Sequence, residues 1–185
     1  MNRTFLLRTA IVMLAASACA YSSVASAQKK PAKADPTEQA VLLGQFGDWG
    51  AYTATPGGKK VCFALAKPTA ATSEPAGRKR DPSFAFLSTR PSEKVKNEVS
   101  VIVGYPQKAS HDATASIGSA NYVMYTQNDG AWVKNAAEEA QMVEAMRKGS
   151  DLVVKSESAL GTKTTDTYSL KGMAQALEKV AEECK

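Results

Sequence analysis

Two cysteines constrain the fold of this chain more than any other feature. Cys62 and Cys184 lie more than a hundred residues apart. In an oxidising compartment an even pair of cysteines most simply forms a disulfide. In the chain-entropy model a loop of that length stabilises the folded state by about 4–5 kcal/mol. The competing interpretation is two buried free thiols, so the compartment decides between them.

The first residues predict export. Residues 1–27 contain a short basic segment ending at Arg8, an apolar segment over 9–20, and small residues ending at Ala27. This order is typical of a cleaved secretory signal peptide, and the apolar segment is too short to span a bilayer stably. Cleavage after Ala27 would remove Cys19 and leave an even pair. A lipid anchor on Cys19 is the alternative, but a small residue stands three positions earlier, where a larger aliphatic one is usual.

Charge and composition exclude several classes of function. Removing residues 1–27 takes away two arginines and no acid, so 23 basic residues become 21 against 18 acidic ones, a net charge of +3. This mild excess does not indicate a nucleic-acid partner, and no later segment is apolar enough to cross a membrane. The only histidine is His111 and the two cysteines are far apart, so we expect no metal and no cofactor. The predicted location is the periplasm, the outer membrane or the medium.

The rest of the chain predicts a mainly β domain. Residues 28–44 resemble a flexible tether that is ordered only near 41–43, and residues 45–185 form one domain. Short strand-like runs alternate with turn signals, as in an immunoglobulin-like sandwich of two sheets with two short helices. The predicted strands are 48–54, 59–66, 83–89, 97–105, 121–126, 130–134, 151–157 and 163–168.

Local patterns support these strands. Val99, Val101 and Val103 alternate with polar residues, as burial of one strand face requires. The Pro-Gly-Gly sequence at 56–58 and the Asn-Asp-Gly sequence at 128–130 both predict hairpin turns.

A first helix is predicted over 136–148. Asn135 is its expected N-cap, Glu138 completes a capping-box-like pair, and Gly149 ends the helix.

A second helix is predicted over 170–183, with Ser169 as its N-cap. Four of its residues recur at intervals of four, three and four, which places them on one face: Met173, Leu177, Val180 and Cys184. If this face packs on the sheet, Cys184 can meet Cys62, whose neighbours Val61 and Phe63 point to the opposite side.

Several segments resemble the invasion-associated locus B family of bacterial envelope proteins. They are FGDW at 46–49, GKKVC at 58–62, Arg90-Pro91, and the block AMRKGSDLVVKSESALGTKTTDTYSLKGMAQAL at 145–177. The resemblance implies an exported β-sandwich protein, periplasmic or associated with the outer membrane. It also implies a link, in some intracellular pathogens, to entry into host cells.

No residue pattern predicts catalysis. His111 lies in a polar stretch between strands, which is typical of an exposed loop. The chain lacks a nucleophile elbow, a phosphate-binding loop and a cluster of metal ligands. We therefore expect a non-enzymatic binding or structural module, with a role in host-cell interaction. The alternatives are a small enzyme acting on envelope polymers and an assembly module that pairs through a sheet edge.

Two segments are candidates for binding. The polar loop 68–82 carries Arg78, Lys79 and Arg80, whose default interpretation is a solvated surface and whose alternative is contact with an anionic surface. The threonine-rich sequence at 161–169 predicts an exposed or edge strand, or alternatively a hydroxyl-lined surface for a glycan or peptide.

Three further side chains have a predicted role. Asp166, among the threonines, would anchor a turn or a cross-strand hydrogen bond. Trp49 and Trp132 are expected in the core, Trp49 against the disulfide, and the alternative for both is contact with a ligand.

Overall fold

A computed structural model describes residues 39–185 of the protein. The predicted signal peptide, residues 1–27, lies outside the described residues, and so do residues 28–38 of the predicted tether. The described residues form eleven strands and two α-helices. The helices are α1 (Ala136–Lys148) and α2 (Met173–Glu183). The strands are β1 (Val41–Phe46), β2 (Trp49–Ala54), β3 (Val61–Ala66), β4 (Ala70–Glu74), β5 (Phe84–Arg90), β6 (Val95–Ile102), β7 (Ala113–Ile117), β8 (Ala120–Gln127), β9 (Gly130–Val133), β10 (Asp151–Glu157) and β11 (Lys163–Ser169).

All eleven strands pair in one antiparallel sheet. Their order across the sheet is β1-β2-β3-β5-β6-β9-β8-β7-β10-β11-β4. Ser83, just before β5, contacts Tyr168 of β11 although five strands lie between β5 and β11. The Trp49 indole in β2 donates a hydrogen bond to the Ser169 carbonyl oxygen at the end of β11, at 2.8 Å. The sheet therefore curls back on itself.

One main core fills the curled sheet. Alternate residues of β6 and the position just after it point into this core, since Val99, Val101 and Val103 are all fully buried. The helices add apolar faces to the same cluster. A smaller cluster on the opposite face of β3 and β5 contains Phe63, which confirms that Phe63 and Cys62 point to different sides. Burial of these faces is the main favourable contribution to folding.

The mainly β class with two helices is confirmed. The prediction of two separate hydrogen-bonded sheets needs correction, because the strand pairings join all the described strands into one sheet. Curvature of that sheet brings strands from its two halves against the same core. The sandwich pattern in the sequence therefore reflects burial on one face of each strand and does not reveal how many sheets exist.

The eight predicted strands are present, and three more were not predicted. β7 consists mainly of small residues and carries no strong strand signal. β4 lies inside the segment 68–82, so the prediction of a continuous loop there is wrong; this strand exists because it pairs with β11. β1 begins at Val41, where the sequence predicted the only order in the tether.

The first helix has the predicted bounds and caps. Asn135 Oδ1 accepts a hydrogen bond from the Glu138 amide at 2.9 Å, as an N-cap does. Gly149 follows the last helical residue, and a Cβ there would lie 2.6 Å from the Ile117 side chain. Glycine is therefore needed at this end for packing against β7.

The second helix begins later than predicted. Its N-cap is Gly172 rather than Ser169, because Ser169 still belongs to β11 and the Leu170 amide bonds to the Ser150 carbonyl oxygen at 2.8 Å. Gly172 has a φ of +90°, and a side chain there would collide with the backbone of Phe46. The predicted apolar face is confirmed, with Met173, Leu177, Val180 and Cys184 all buried.

Candidate functional site

A groove lies between the segment 75–83, which joins β4 to β5, and the turn 158–162, which joins β10 to β11. We call the first segment the basic loop and the cavity the basic groove. Its volume is about 490 Å³, which is within the range of small-molecule sites. Its lining residues are Ser73, Arg78, Lys79, Arg80, Tyr105, Pro106, Ser158, Ala159, Leu160, Thr162 and Thr164.

The groove joins the two segments that the sequence marked as binding candidates. Arg78, Lys79 and Arg80 contribute from one wall, and Thr162 and Thr164 from the other. They are more than 80 positions apart in sequence and meet because β4 pairs with β11. None of the lining residues carries a carboxylate, so the groove is basic.

The three basic residues have different roles. Arg78 and Lys79 are exposed, whereas Arg80 turns inward. Both Arg80 guanidinium Nη atoms donate to the two carboxylate oxygens of Asp166, and the Nη1 distance to Oδ2 is 2.8 Å. The same Nη1 donates to the Val103 carbonyl oxygen at 3.0 Å. The anionic-surface hypothesis therefore stays a prediction for Arg78 and Lys79, while Arg80 is committed to an internal ion pair.

A buried polar cluster holds the basic loop onto β11. We call Arg80, Ser83, Asp166 and Tyr168 the anchor cluster. The Ser83 hydroxyl donates to Asp166 Oδ2 at 3.0 Å and lies 2.5 Å from the Tyr168 hydroxyl. Because Ser83 uses its proton on Asp166, Tyr168 is the donor to Ser83. Asp166 is only 1% exposed, so this carboxylate depends on its partners for solvation.

The electrostatics of the anchor cluster fix its charge state. Burial disfavours a charged guanidinium, but the hydrogen bonds and negative charge of Asp166 outweigh this and raise the pKa of Arg80. Burial also raises the pKa of the Tyr168 phenol far above its ordinary value, with a further contribution from the Asp166 charge. Arg80 thus stays charged and Tyr168 stays neutral throughout the physiological pH range.

Tyr105 connects the anchor cluster to the groove wall. The Arg80 guanidinium carbon lies 5.9 Å from the centre of the Tyr105 ring, which is within cation–π range. The Tyr105 hydroxyl lies 2.5 Å from the Thr164 hydroxyl. The ring is therefore held at its face by Arg80 and at its hydroxyl by Thr164, so it forms an ordered part of the groove wall.

Leu160 gives the groove an unusual apolar edge. It stands in the turn between β10 and β11 and is 93% exposed. Ala159 and Pro106 lie beside it in the groove lining. The groove therefore combines a basic rim at Arg78 and Lys79 with an apolar rim at Leu160.

The threonine-rich segment is not the predicted edge strand. It forms β11, which pairs with β10 on one side and β4 on the other. Thr164, Asp166 and Tyr168 are buried, whereas Thr165 and Thr167 are partly exposed. The prediction failed because β4, which covers this edge, was taken for a loop. The expected cross-strand role of Asp166 is met in part, since its carboxylate ties β11 to the basic loop.

The other predicted residues lie away from the groove lining. His111 is exposed in the loop between β6 and β7, 3.3 Å from a Glu157 oxygen. Trp49 is fully buried, as predicted. Trp132 is only half-buried and stacks on Tyr125, with ring centres 5.7 Å apart, so its placement in the core was wrong. It sits on the other side of β9 from the buried Ala131 and Val133.

The two cysteines are bonded to each other. Cys62 in β3 and Cys184 at the end of α2 form a disulfide with Cα atoms 6.0 Å apart. This bond joins α2 to the sheet on the face where both cysteines enter the main core.

Sequence reasoning missed the anchor cluster. Ser83 and Tyr168 carried no signal beyond their strand positions. The acid among threonines at Asp166 was the one clue, because a carboxylate on the inward face of a strand needs a cationic partner.

These observations define a disulfide-bonded, mainly β protein with a basic groove rimmed by hydroxyl and apolar groups. Among residues 39–185, no three His, Cys, Asp or Glu side chains are grouped as a metal site. Neither helix of this part of the chain has the length and apolarity required to cross a bilayer.

The chain belongs to the invasion associated locus B (IalB) protein family, whose sequence profile matches residues 49–181. This assignment agrees with the resemblance drawn from the motifs. Neither a curated protein nor a solved structure gives a significant match to the chain.

Proposed function

We propose that this protein is an exported, non-enzymatic module of the bacterial envelope that binds anionic surfaces through the basic groove. The observation that carries the proposal is the convergence of Arg78 and Lys79 on a groove without a carboxylate. Both side chains are exposed, and Arg80 beside them is held in place by Asp166. The exposed side chains of Arg78 and Lys79 therefore extend from a loop that the Arg80–Asp166 ion pair holds in place.

Export is supported by three features taken together. They are the signal-like residues 1–27, the family membership and the disulfide between Cys62 and Cys184. Fractionation of producing cells, with mass spectrometry of the N-terminus, tests this part. We expect an envelope or periplasmic protein that starts at Gln28. A cytosolic protein that retains Met1 would contradict it.

Anionic binding is tested by sedimentation with vesicles. The double variant Arg78→Gln/Lys79→Gln should bind phosphatidylcholine vesicles containing phosphatidylglycerol about thirtyfold more weakly than wild type at low salt. The expectation rests on about 1 kcal/mol per basic residue near a charged membrane. The matched control is Lys94→Gln/Lys96→Gln, which removes the same charge from another exposed segment. Equal weakening in both variants would show that net charge, and not the groove, drives the binding.

A role in host-cell interaction would use the same surface. Host membranes and surface glycans also carry negative charge, so the groove chemistry fits either an envelope or a host ligand. Loss of cell adherence in the Arg78→Gln/Lys79→Gln variant, with the control retaining it, is the expected result. Adherence that is unchanged in both would remove the groove from this role.

Assembly through a sheet edge is a second candidate, favoured by one observation. β4 is the last strand of the sheet and its residues are mostly exposed. Such an edge offers unpaired backbone groups to another strand. Analytical ultracentrifugation tests this candidate: a dimer that Thr72→Pro converts to a monomer would support it, and a monomeric wild type would rule it out.

A further inference from the structure

We infer that the basic groove takes one phosphate-bearing lipid of the membrane, with the head group at Arg78 and Lys79 and an acyl segment along Leu160. This inference rests on the proposed function and deepens it. Adsorption to a flat charged surface needs only exposed cations. The groove offers more, because it adds depth, hydroxyl donors and an apolar rim to those cations.

The first argument is the exposure of Leu160. An apolar side chain that is 93% exposed, at a turn beside two cations, contributes nothing to the core of the monomer. Transfer of a leucine from water to an apolar contact improves affinity by about tenfold or more. Ala159 and Pro106 extend the apolar surface from Leu160 into the groove. A ligand with a hydrocarbon part would cover all three.

The second argument is the polarity across the groove. Arg78 and Lys79 line one side, and the turn carrying Leu160 lines the other. Charged donors suit a phosphate head group, while the apolar rim suits the chain next to it. A free inorganic anion would leave Leu160 exposed, and a neutral lipid would leave the two cations without a partner. An anionic amphiphile satisfies both sides.

The third argument is preorganisation. Arg80 is held by Asp166, and the Tyr105 ring, which also lines the groove, is fixed by Arg80 and Thr164. A wall that is already ordered loses little conformational freedom when a ligand binds. The volume of about 490 Å³ suits one head group with part of one chain.

The test compares three soluble probes by titration calorimetry: decyl phosphate below its micellar concentration, inorganic phosphate and decyl maltoside. We expect decyl phosphate to bind at least tenfold more tightly than either of the others. The Leu160→Ser variant should weaken decyl phosphate binding about tenfold and leave phosphate binding unchanged. The control Leu160→Met, which keeps an apolar side chain, should stay within about twofold of wild type.

The outcomes separate this inference from the proposed function. If vesicle binding depends on Arg78 and Lys79 but decyl phosphate binds no more tightly than phosphate, the lipid inference is overturned and the anionic-surface proposal stands. An unchanged affinity in Leu160→Ser would also overturn the inference. If neither vesicles nor decyl phosphate bind, both proposals are wrong. Because Leu160 is almost fully exposed, its substitution is not expected to impair folding.

Discussion

The C-terminal end and the middle of β11 are attached to the rest of the protein in different ways. Near Ser169, the chain is held by the buried Trp49 and by α2, which the disulfide joins to β3. At Asp166, the middle residue of the strand, the basic loop is held by the Arg80–Asp166 ion pair and its hydrogen bonds. The first attachment combines a buried indole, its hydrogen bond and a covalent link through the disulfide, whereas the second is an ion pair with hydrogen bonds.

This difference assigns separate tasks to the two regions. The disulfide joins residues 122 positions apart and stabilises the fold by constraining the unfolded chain. It has no direct part in forming the basic groove. The anchor cluster stabilises less of the fold but positions the groove that carries Arg78 and Lys79. Stability and binding should therefore respond to different substitutions.

The largest effect on stability is expected from loss of the disulfide. The variant Cys62→Ala/Cys184→Ala should lower the free energy of unfolding by about 4–5 kcal/mol, because the unfolded chain regains the entropy of a long loop. Urea denaturation monitored by circular dichroism measures it. Under conditions where the variant is still folded, its affinity for anionic vesicles should equal that of wild type. A loss of vesicle binding by the folded variant would show that the disulfide also contributes to binding, and would contradict the assignment of stability and binding to separate regions.

The next largest effect is expected from Asp166→Asn. This change leaves Arg80 partly buried without its counter-charge and should cost about 3 kcal/mol in the free energy of unfolding. The variant carries one more net positive charge, so net charge alone predicts tighter binding to anionic vesicles. The structure predicts weaker binding, because the basic loop loses its anchor. Sedimentation of the folded variant with vesicles decides between these predictions, and tighter binding would contradict the anchoring role.

The sequence predicted the disulfide-linked region better than the groove region. The spacing of Met173, Leu177, Val180 and Cys184 follows from local helix geometry, and burial of one face accounts for the pairing of the cysteines. The basic loop and the threonine-rich segment were both recognised, but their meeting depends on β4. That strand has the sequence AATSE next to prolines, so it carries no local signal and forms only on its partner. The Arg80–Asp166 pair spans 86 positions and could not be read from spacing.

The packing of the basic loop against the sheet can be tested by a substitution at Gly104. This residue has a φ of +78°, and a Cβ there would collide with the Asp81 carbonyl oxygen of the loop. Gly104→Ala should cost about 2 kcal/mol in the free energy of unfolding and also weaken vesicle binding. The matched control is Gly58→Ala, which has a φ of +79°, no neighbour within 4 Å and a position outside the groove lining. The control should cost only about 1 kcal/mol, from backbone conformation alone. Equal costs would mean that the loop does not pack as described.

The smallest effect is expected from Tyr168→Phe. Loss of the hydroxyl that donates to Ser83 should cost about 1 kcal/mol in the free energy of unfolding at neutral pH. Burial raises the pKa of the Tyr168 phenol above its ordinary value of 10.0, so the folded state keeps a proton that the unfolded state releases. Stability should therefore fall as pH rises above about 10, by up to about 1.4 kcal/mol per pH unit from this group. Tyr168→Phe should make this alkaline decline shallower, and an identical decline in the variant would show that Tyr168 ionises freely.

The most direct test of the basic groove is a map of where an anionic amphiphile binds. Amide chemical shifts of the labelled protein should be followed during titration with decyl phosphate. We predict that the largest shifts fall in two separate stretches, 76–80 and 158–164, together with Tyr105. Shifts centred instead on the stacked pair Tyr125 and Trp132, or no saturable shifts at all, would contradict the account.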